Sequence, residues 1–453
     1  MGFPDTYPQC RGLWFGFRAG IGMASFGARF GILFGILFGV LFGVLFGVLF
    51  GSPVRHATAQ VNWDAWKPGG SDEPIYPELQ ASVEDARNPF RELVVVDARP
   101  LAAFSAGHIP GARHLDVRAF LVDPPRLAGE LGRRGIGSEG TVLCYSDEVD
   151  PGAAGRLLWL LELAGHTDVR VLRGGFEAWT ASGESSASGG PYVEPVSFDG
   201  SLRRELLATR DYVRDVFGTL GHSILDWRDG GVWADGHIPH SLPFPLAELV
   251  QDGRPLDGPA LHDAFAQWGP RPREYVPVDD EIIVLGDDPA GAMAVDGYLA
   301  ARLAGRTRVR VFPGGLREWR DAGLPLTRLI DAKELRTLLT ARGTRELLDV
   351  PRPDVVLLDL RGGREHAVGH IPGAVSLTTN RSPEDLEAVL AEHWPGIDRS
   401  RVPLVSYCYG PNCTRSRNGT TLAARAGFNS VLWFRSGITG WRADGNELVS
   451  GAE

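Results

Sequence analysis

A tetrapeptide, Gly-His-Ile-Pro, occurs three times in this chain, starting at Gly107, Gly236 and Gly369. Each copy follows a short apolar run that ends in Asp-x-Arg: VVVDAR to Arg99, SILDWR to Arg228 and VLLDLR to Arg361. Downstream of each comes a small-Gly pair with a tryptophan five positions after its first member: GGFEAW to Trp179, GGLREW to Trp319 and SGITGW to Trp441. His108, His237 and His370 lie 129 and 133 residues apart, so the repeating unit is a domain and not a solenoid turn. A single fold is therefore used three times, and every position in one unit can be compared with its two counterparts.

Within each unit the apolar runs are short and β-branched: LVVVD, TVLCY and VRVL; then SILD, EIIVL and VRVF; then VVLLD, PLVSY and SVLWF. Continuous apolar strands alternating with helical stretches such as GRLLWLLELAG predict parallel sheets covered on both faces. The fold class is α/β, in three small domains covering residues 60–190, 191–327 and 328–453. The Gly/Ser-rich ASGESSASGG, Ala181 to Gly190, reads as the first linker. The second boundary is tighter, near Leu324-Pro325-Leu326, with IDAKELRTLL opening the third unit as a helix. Residues 60–90 read as a polar lead-in without periodicity.

Ahead of the repeats, residues 30–51 read FGILFGILFGVLFGVLFGVLFG, an uncharged run preceded by Arg11, Arg18 and Arg29 and followed by Ala57-Thr58-Ala59. A basic start, an apolar stretch and a small-x-small end describe a secretory signal peptide over residues 1–59, cleaved before Gln60. The run is also long enough to span a bilayer as an uncleaved anchor. In either case the domains are expected outside the cytoplasm, periplasmic or extracellular, with membrane contact only if the leader is kept. A net charge of −10 argues against nucleic acid as a partner.

Four cysteines are too few and too irregular for a disulfide framework. One is in the leader; the others are Cys144, Cys408 and Cys413. Asp-x-Arg, Gly-His-Ile-Pro, a strand ending in cysteine and GG-x-x-x-W together resemble the rhodanese (thiosulfate sulfurtransferase) family over residues 90–448. The resemblance implies three rhodanese-like domains and a persulfide mechanism, in which a strand-end cysteine takes a sulfane sulfur and passes it on. It implies a small sulfur-containing anion as donor and cyanide, a thiol or a protein thiol as acceptor, with no cofactor. The physical reason holds without the name: a thiolate in a strand-to-helix loop meets backbone N–H groups and a helix N-terminus, which lower its pKa and hold an anion.

The third unit alone carries the full set. In PLVSYCYGPNCTRS, Cys408 stands at the strand end, and Arg415 and Ser416 match the Arg-Ser that closes the family's loop, offering a cation and a hydroxyl to the anion. Six residues separate Cys408 from Arg415, two more than in the usual sulfurtransferase loop, and loop length sets which anion fits. The bland reading of Cys408 is a small buried hydrophobe. Cys413 has four open readings: a resolving thiol, a disulfide partner for Cys408 if their Cα atoms approach within about 7 Å, the nucleophile itself, or a bystander. A metal site would need more ligands than this segment supplies.

In the first unit, an ungapped comparison puts Cys144 against Tyr407 and Tyr145 against Cys408, which turns the Cys144 thiol to the wrong face. Its loop is acidic (Asp147, Glu148, Asp150), with Arg156 the nearest cation, so Cys144 is the weaker nucleophile candidate. The second unit has Gly286 and Asp287 there and no thiol. Because that unit keeps His237, the repeated histidines read as structural; the Asp/Arg pairs read as strand-end fixtures and the tryptophans as core. Two rivals share the fold: a phosphatase with a longer Cys-to-Arg loop, and a non-catalytic module that binds a partner, sulfur carrier or oxyanion.

Overall fold

The apolar runs become the strands of three separate parallel sheets in the computed structural model. It describes residues 79–451, apart from stretches at 89–92, 118–119, 121–125, 151, 191, 246–248, 252–253, 256–257, 268–275, 288–291, 347–354 and 378–381. The leader assigned to residues 1–59 lies outside the described residues.

The first sheet uses β1 (Gln80–Ala81), β2 (Leu93–Asp97), β3 (Arg113–His114), β4 (Thr141–Tyr145) and β5 (Val169–Leu172), in the order β1-β5-β4-β2-β3. The second contains β6 (His222–Asp226) and β7 (Leu242–Pro243), then, after a small hairpin of β8 (Val250–Gln251) and β9 (Arg254–Pro255), β10 (Glu281–Leu285) and β11 (Val309–Phe312). Its order is β11-β10-β6-β7. The third sheet is β12 (Leu326–Leu329), β13 (Val356–Asp359), β14 (Val375–Ser376), β15 (Leu404–Tyr407) and β16 (Ser430–Phe434), ordered β12-β16-β15-β13-β14. All three are parallel, as continuous apolar strands require when helices cover both faces.

Three details of the domain borders differ from the sequence reading. The end of the polar lead-in is ordered: Gln80–Ala81 pairs with β5, and Ser82 and Asp85 form a capping box at the helix Val83–Arg87. The Gly/Ser stretch is not a free linker, because Ala187 pairs with His108 and the Ser185 carbonyl accepts from Trp179. Finally, Leu326–Leu329 joins the third sheet through β16, so residue 327 falls inside a strand and the border sits at the Leu324-Pro325 turn.

The units are fused through their helices. Every residue of Ala153–Ala164 is buried, which explains why all but Arg156 and Glu162 lack a charge: the first sheet covers one face and the second unit's helix Ala292–Leu303 the other. At that seam Glu162 accepts from the Tyr298 hydroxyl and from Arg302 at 3.1 Å. One apolar core runs through the first and second units, and another joins the second to the third.

Candidate functional site

The repeated signatures build one clamp three times. In each unit the strand-end aspartate is fully buried and receives its arginine at 2.7 Å: Asp97–Arg99, Asp226–Arg228 and Asp359–Arg361. The same guanidinium reaches the carbonyl of the Gly in Gly-His-Ile-Pro, at 2.6 Å to Gly107, 2.8 Å to Gly236 and 2.6 Å to Gly369. Each His donates through Nδ1 at 2.9 Å to a carbonyl one helical turn back, on Phe104, Trp233 or His366, and stacks on that residue's ring. Its backbone pairs with the return segment, which the unit's tryptophan indole also holds. The histidines are thus positioning residues. Removing one partner of a buried pair like Asp359–Arg361 costs about 3–5 kcal/mol.

This clamp fixes the register of the central strand. Asp97 lies opposite Tyr145, Asp226 opposite Leu285 and Asp359 opposite Tyr407. The next residue is therefore Ser146, Gly286 and Cys408, and its carbonyl accepts from Phe176, Leu316 and Ile438 at 2.9, 3.1 and 3.0 Å. This corrects the ungapped comparison by one residue. Tyr145 matches Tyr407, because both hydroxyls bind the buried aspartate and a backbone N–H of the Ile in the repeat, and Cys144 matches Ser406. Cys144 lies inside the apolar core two positions short of the site, and Ser146 occupies the nucleophile's place. Arg156 is not available there either: it is buried and paired with Asp150 and, at 3.9 Å, with Asp296 of the second unit.

In the third unit Cys408 is 1% exposed at the end of β15. The loop from Tyr409 turns back at once, with Cys413 N–H donating to Gly410 at 2.9 Å, and Cys413 caps the helix Thr414–Arg425. Cys408 and Cys413 are joined as a disulfide with Cα atoms 6.2 Å apart. The loop is seated on the turn before the helix Gly437–Ala443, where Gly437 has φ +55° and a Cβ would lie 2.3 Å from the Cys408 carbonyl. Only glycine fits that approach.

Around the loop is an open recess of about 490 Å³ lined by Tyr409 to Arg415 and Thr439. Arg415 is exposed at its edge. Ser416 is placed differently from expectation. It is buried, its hydroxyl donates to the Cys413 carbonyl at 3.3 Å and accepts from the Trp433 indole at 2.9 Å, so it positions the loop and does not face the recess. Tyr409 lies over the rim, its hydroxyl donating to Glu365 at 2.8 Å; that bond raises the Tyr409 pKa and lowers that of Glu365. Beneath, burial pushes the Asp359 carboxyl up, but the Arg361 and His366 bonds outweigh it and hold the group below its usual range.

Sequence reasoning missed His240, which stands where the other copies have Gly111 and Gly373. It keeps their left-handed backbone, with φ 67° beside 79° and 76°. Its carbonyl accepts from Arg417 at 2.8 Å and its ring lies 3.0 Å from Thr421, so the second unit grips the helix that follows the Cys408 loop. The signal was the reading GHIPH in place of GHIPG.

A family model described as a rhodanese-like domain matches residues 78–182, 209–322 and 340–444. The chain belongs to the rhodanese-like family. It is 30% identical over 250 residues to a thiosulfate sulfurtransferase of Pseudomonas aeruginosa, covering 50% of this chain and 88% of that one. A probable 3-mercaptopyruvate sulfurtransferase of the same organism is 31% identical over 275 residues, covering 53% and 94%. The crystal structure of SseA from Escherichia coli, described as a 3-mercaptopyruvate sulfotransferase, matches with a TM-score of 0.44 and 22% identity, covering 52% of this chain and 98% of that one. The two Pseudomonas aeruginosa relatives support sulfur transfer as the general class of chemistry for this rhodanese-like chain.

Proposed function

We propose that this is an exported sulfurtransferase whose third unit carries a sulfane sulfur on Cys408. The observation that carries this reading is the set of equivalent strand ends, Ser146, Gly286 and Cys408, of which one alone is a thiol. It enters a loop that runs into a helix of twelve residues, with Arg415 at the edge of the recess. Thiosulfate or a related anion binds at Arg415 through charge-assisted contacts. The Cys408 thiolate attacks the outer sulfur, the donor's S–S bond breaks, and sulfite leaves with the bonding pair. Cyanide, a small thiol or a protein thiol then takes the outer sulfur from the persulfide, and the Cys408 thiolate departs. The first two units support this site: the second grips the active helix through His240, and the first covers the second. The leader takes the protein to the periplasm or the exterior.

The test is turnover from thiosulfate to cyanide in reduced protein. Cys408→Ser is expected to abolish it, since oxygen cannot hold a persulfide, and Cys144→Ser to retain most of it. Turnover persisting in Cys408→Ser would overturn the assignment. Wild-type protein inert to thiosulfate but active on an aryl phosphate would make the unit a phosphatase, and inertness to both would make it a binding module.

A further inference from the structure

We infer that Cys413 is a resolving thiol that converts the Cys408 persulfide into free sulfide, making the third unit a sulfide-releasing enzyme that consumes a dithiol. The inference rests on the assignment of sulfur uptake to Cys408. Three observations carry it. The two sulfurs are bonded, so the fold brings the Cys413 sulfur into direct reach of the Cys408 sulfur. Both ends of the intervening loop are anchored while this holds: the Cys408 and Tyr409 carbonyls accept from Ile438 and Thr439 at 3.0 and 3.1 Å, and Cys413 is held to Gly410 and Ser416. Pairing is therefore compatible with the folded loop. Lastly, access to the two sulfurs is unequal: Cys408 is buried, while Cys413 is half-buried and lines the recess.

The steps balance. Thiosulfate and the Cys408 thiolate give the persulfide and sulfite. The Cys413 thiolate attacks the inner sulfur of the persulfide, its outer sulfur leaves as hydrosulfide after taking a proton, and the Cys408–Cys413 disulfide remains. An external dithiol then attacks the accessible Cys413 sulfur and expels the Cys408 thiolate, and its second thiol closes to release reduced Cys413. The sum is thiosulfate plus dithiol giving sulfite, hydrogen sulfide and the oxidised dithiol. Attack at the exposed sulfur is productive because the leaving group is the buried nucleophile itself.

The test uses the full chain, reduced, freed of reductant without air, and given one equivalent of thiosulfate. Wild type should release one sulfite and one sulfide per chain, and the peptide holding both cysteines should lose two hydrogens. Cys413→Ser should lose the sulfide step: the peptide should carry one added sulfur on Cys408, with sulfide appearing only when dithiothreitol is added. A wild-type peptide that keeps the sulfur without releasing sulfide would overturn the inference, as would sulfide release from Cys413→Ser at the wild-type rate. No sulfite from Cys413→Ser alone would overturn it too, by making Cys413 necessary for uptake. No sulfite from either protein would overturn the Cys408 assignment itself.

Discussion

Replacing Gly437 with alanine tests whether the turn under Cys408 positions the nucleophile. Its φ of +55° is left-handed, and a Cβ there would lie 2.3 Å from the Cys408 carbonyl and 2.9 Å from the Gly410 nitrogen. Both contacts are with backbone, which cannot rotate away. The left-handed conformation costs alanine about 1–2 kcal/mol. Relieving the overlap by shifting the loop brings the total to about 2–3 kcal/mol, within the range of a strained backbone site. Gly315 in the second unit supplies the control, with φ +54° and a Cβ 2.1 Å from the Gly286 carbonyl. The clash is the same, but no thiol is there. Thermal unfolding should show comparable losses for Gly437→Ala and Gly315→Ala. Thiosulfate-to-cyanide turnover, assayed well below either melting temperature, should fall at least about ten-fold in Gly437→Ala, the effect of roughly 1.4 kcal/mol on the barrier, and stay near wild type in Gly315→Ala. Equal turnover in the two variants would refute the positioning argument, because stability alone would then account for the effect.

Arg415→Ala should lower kcat/KM for thiosulfate by about ten- to a hundred-fold, the loss of a charge-assisted contact of roughly 1.5–3 kcal/mol. Arg415→Lys should recover only part of it, because a point charge lacks the planar fork; an unchanged kcat/KM in the alanine variant would assign the anion to another group. Stability should fall with acid through two buried histidines, His237 and His240, whose pKa values burial lowers to about 3. The unfolded chain binds those protons near pH 6.5 and the folded one does not, so stability is lost as pH falls from about 6.5 towards 3. At pH 5 this amounts to ~2 kcal/mol per histidine. Urea unfolding of wild type and His240→Gly at pH 8 and pH 5 checks this: the variant should lose less on acidification, and parallel losses would contradict the account. Export with cleavage predicts Gln60 as the mature N-terminus of a soluble protein found outside the cytoplasm, checked by N-terminal sequencing of fractionated cells; recovery only in membranes with residues 30–51 intact would establish an anchor.

The repeat made the fold legible, because Asp-x-Arg, Gly-His-Ile-Pro and GG-x-x-x-W turn out to be parts of one hydrogen-bonded clamp and must appear together. Strands could be read from β-branched runs for the same reason: every unit buries its sheet on both faces. The register of Cys144 did not follow from counting along the strands, because β4 has five residues and β15 four, so the two can be aligned in more than one way. What fixes it is the tyrosine hydroxyl on a distant aspartate, a contact across the sheet. Ser416 matched the family's loop as a letter, but its hydroxyl is taken by Trp433, seventeen residues away, and local sequence does not give that partner. The same holds for His240, whose ring and carbonyl meet a helix in another unit.

Single-turnover sulfite release from the reduced chain tests the central claim most directly. Mixed with thiosulfate in the absence of any acceptor, wild type and Cys144→Ser should each release one sulfite per chain, and Cys408→Ser none. A full burst from Cys408→Ser, or its loss in Cys144→Ser, would contradict the assignment of sulfur transfer to the third unit.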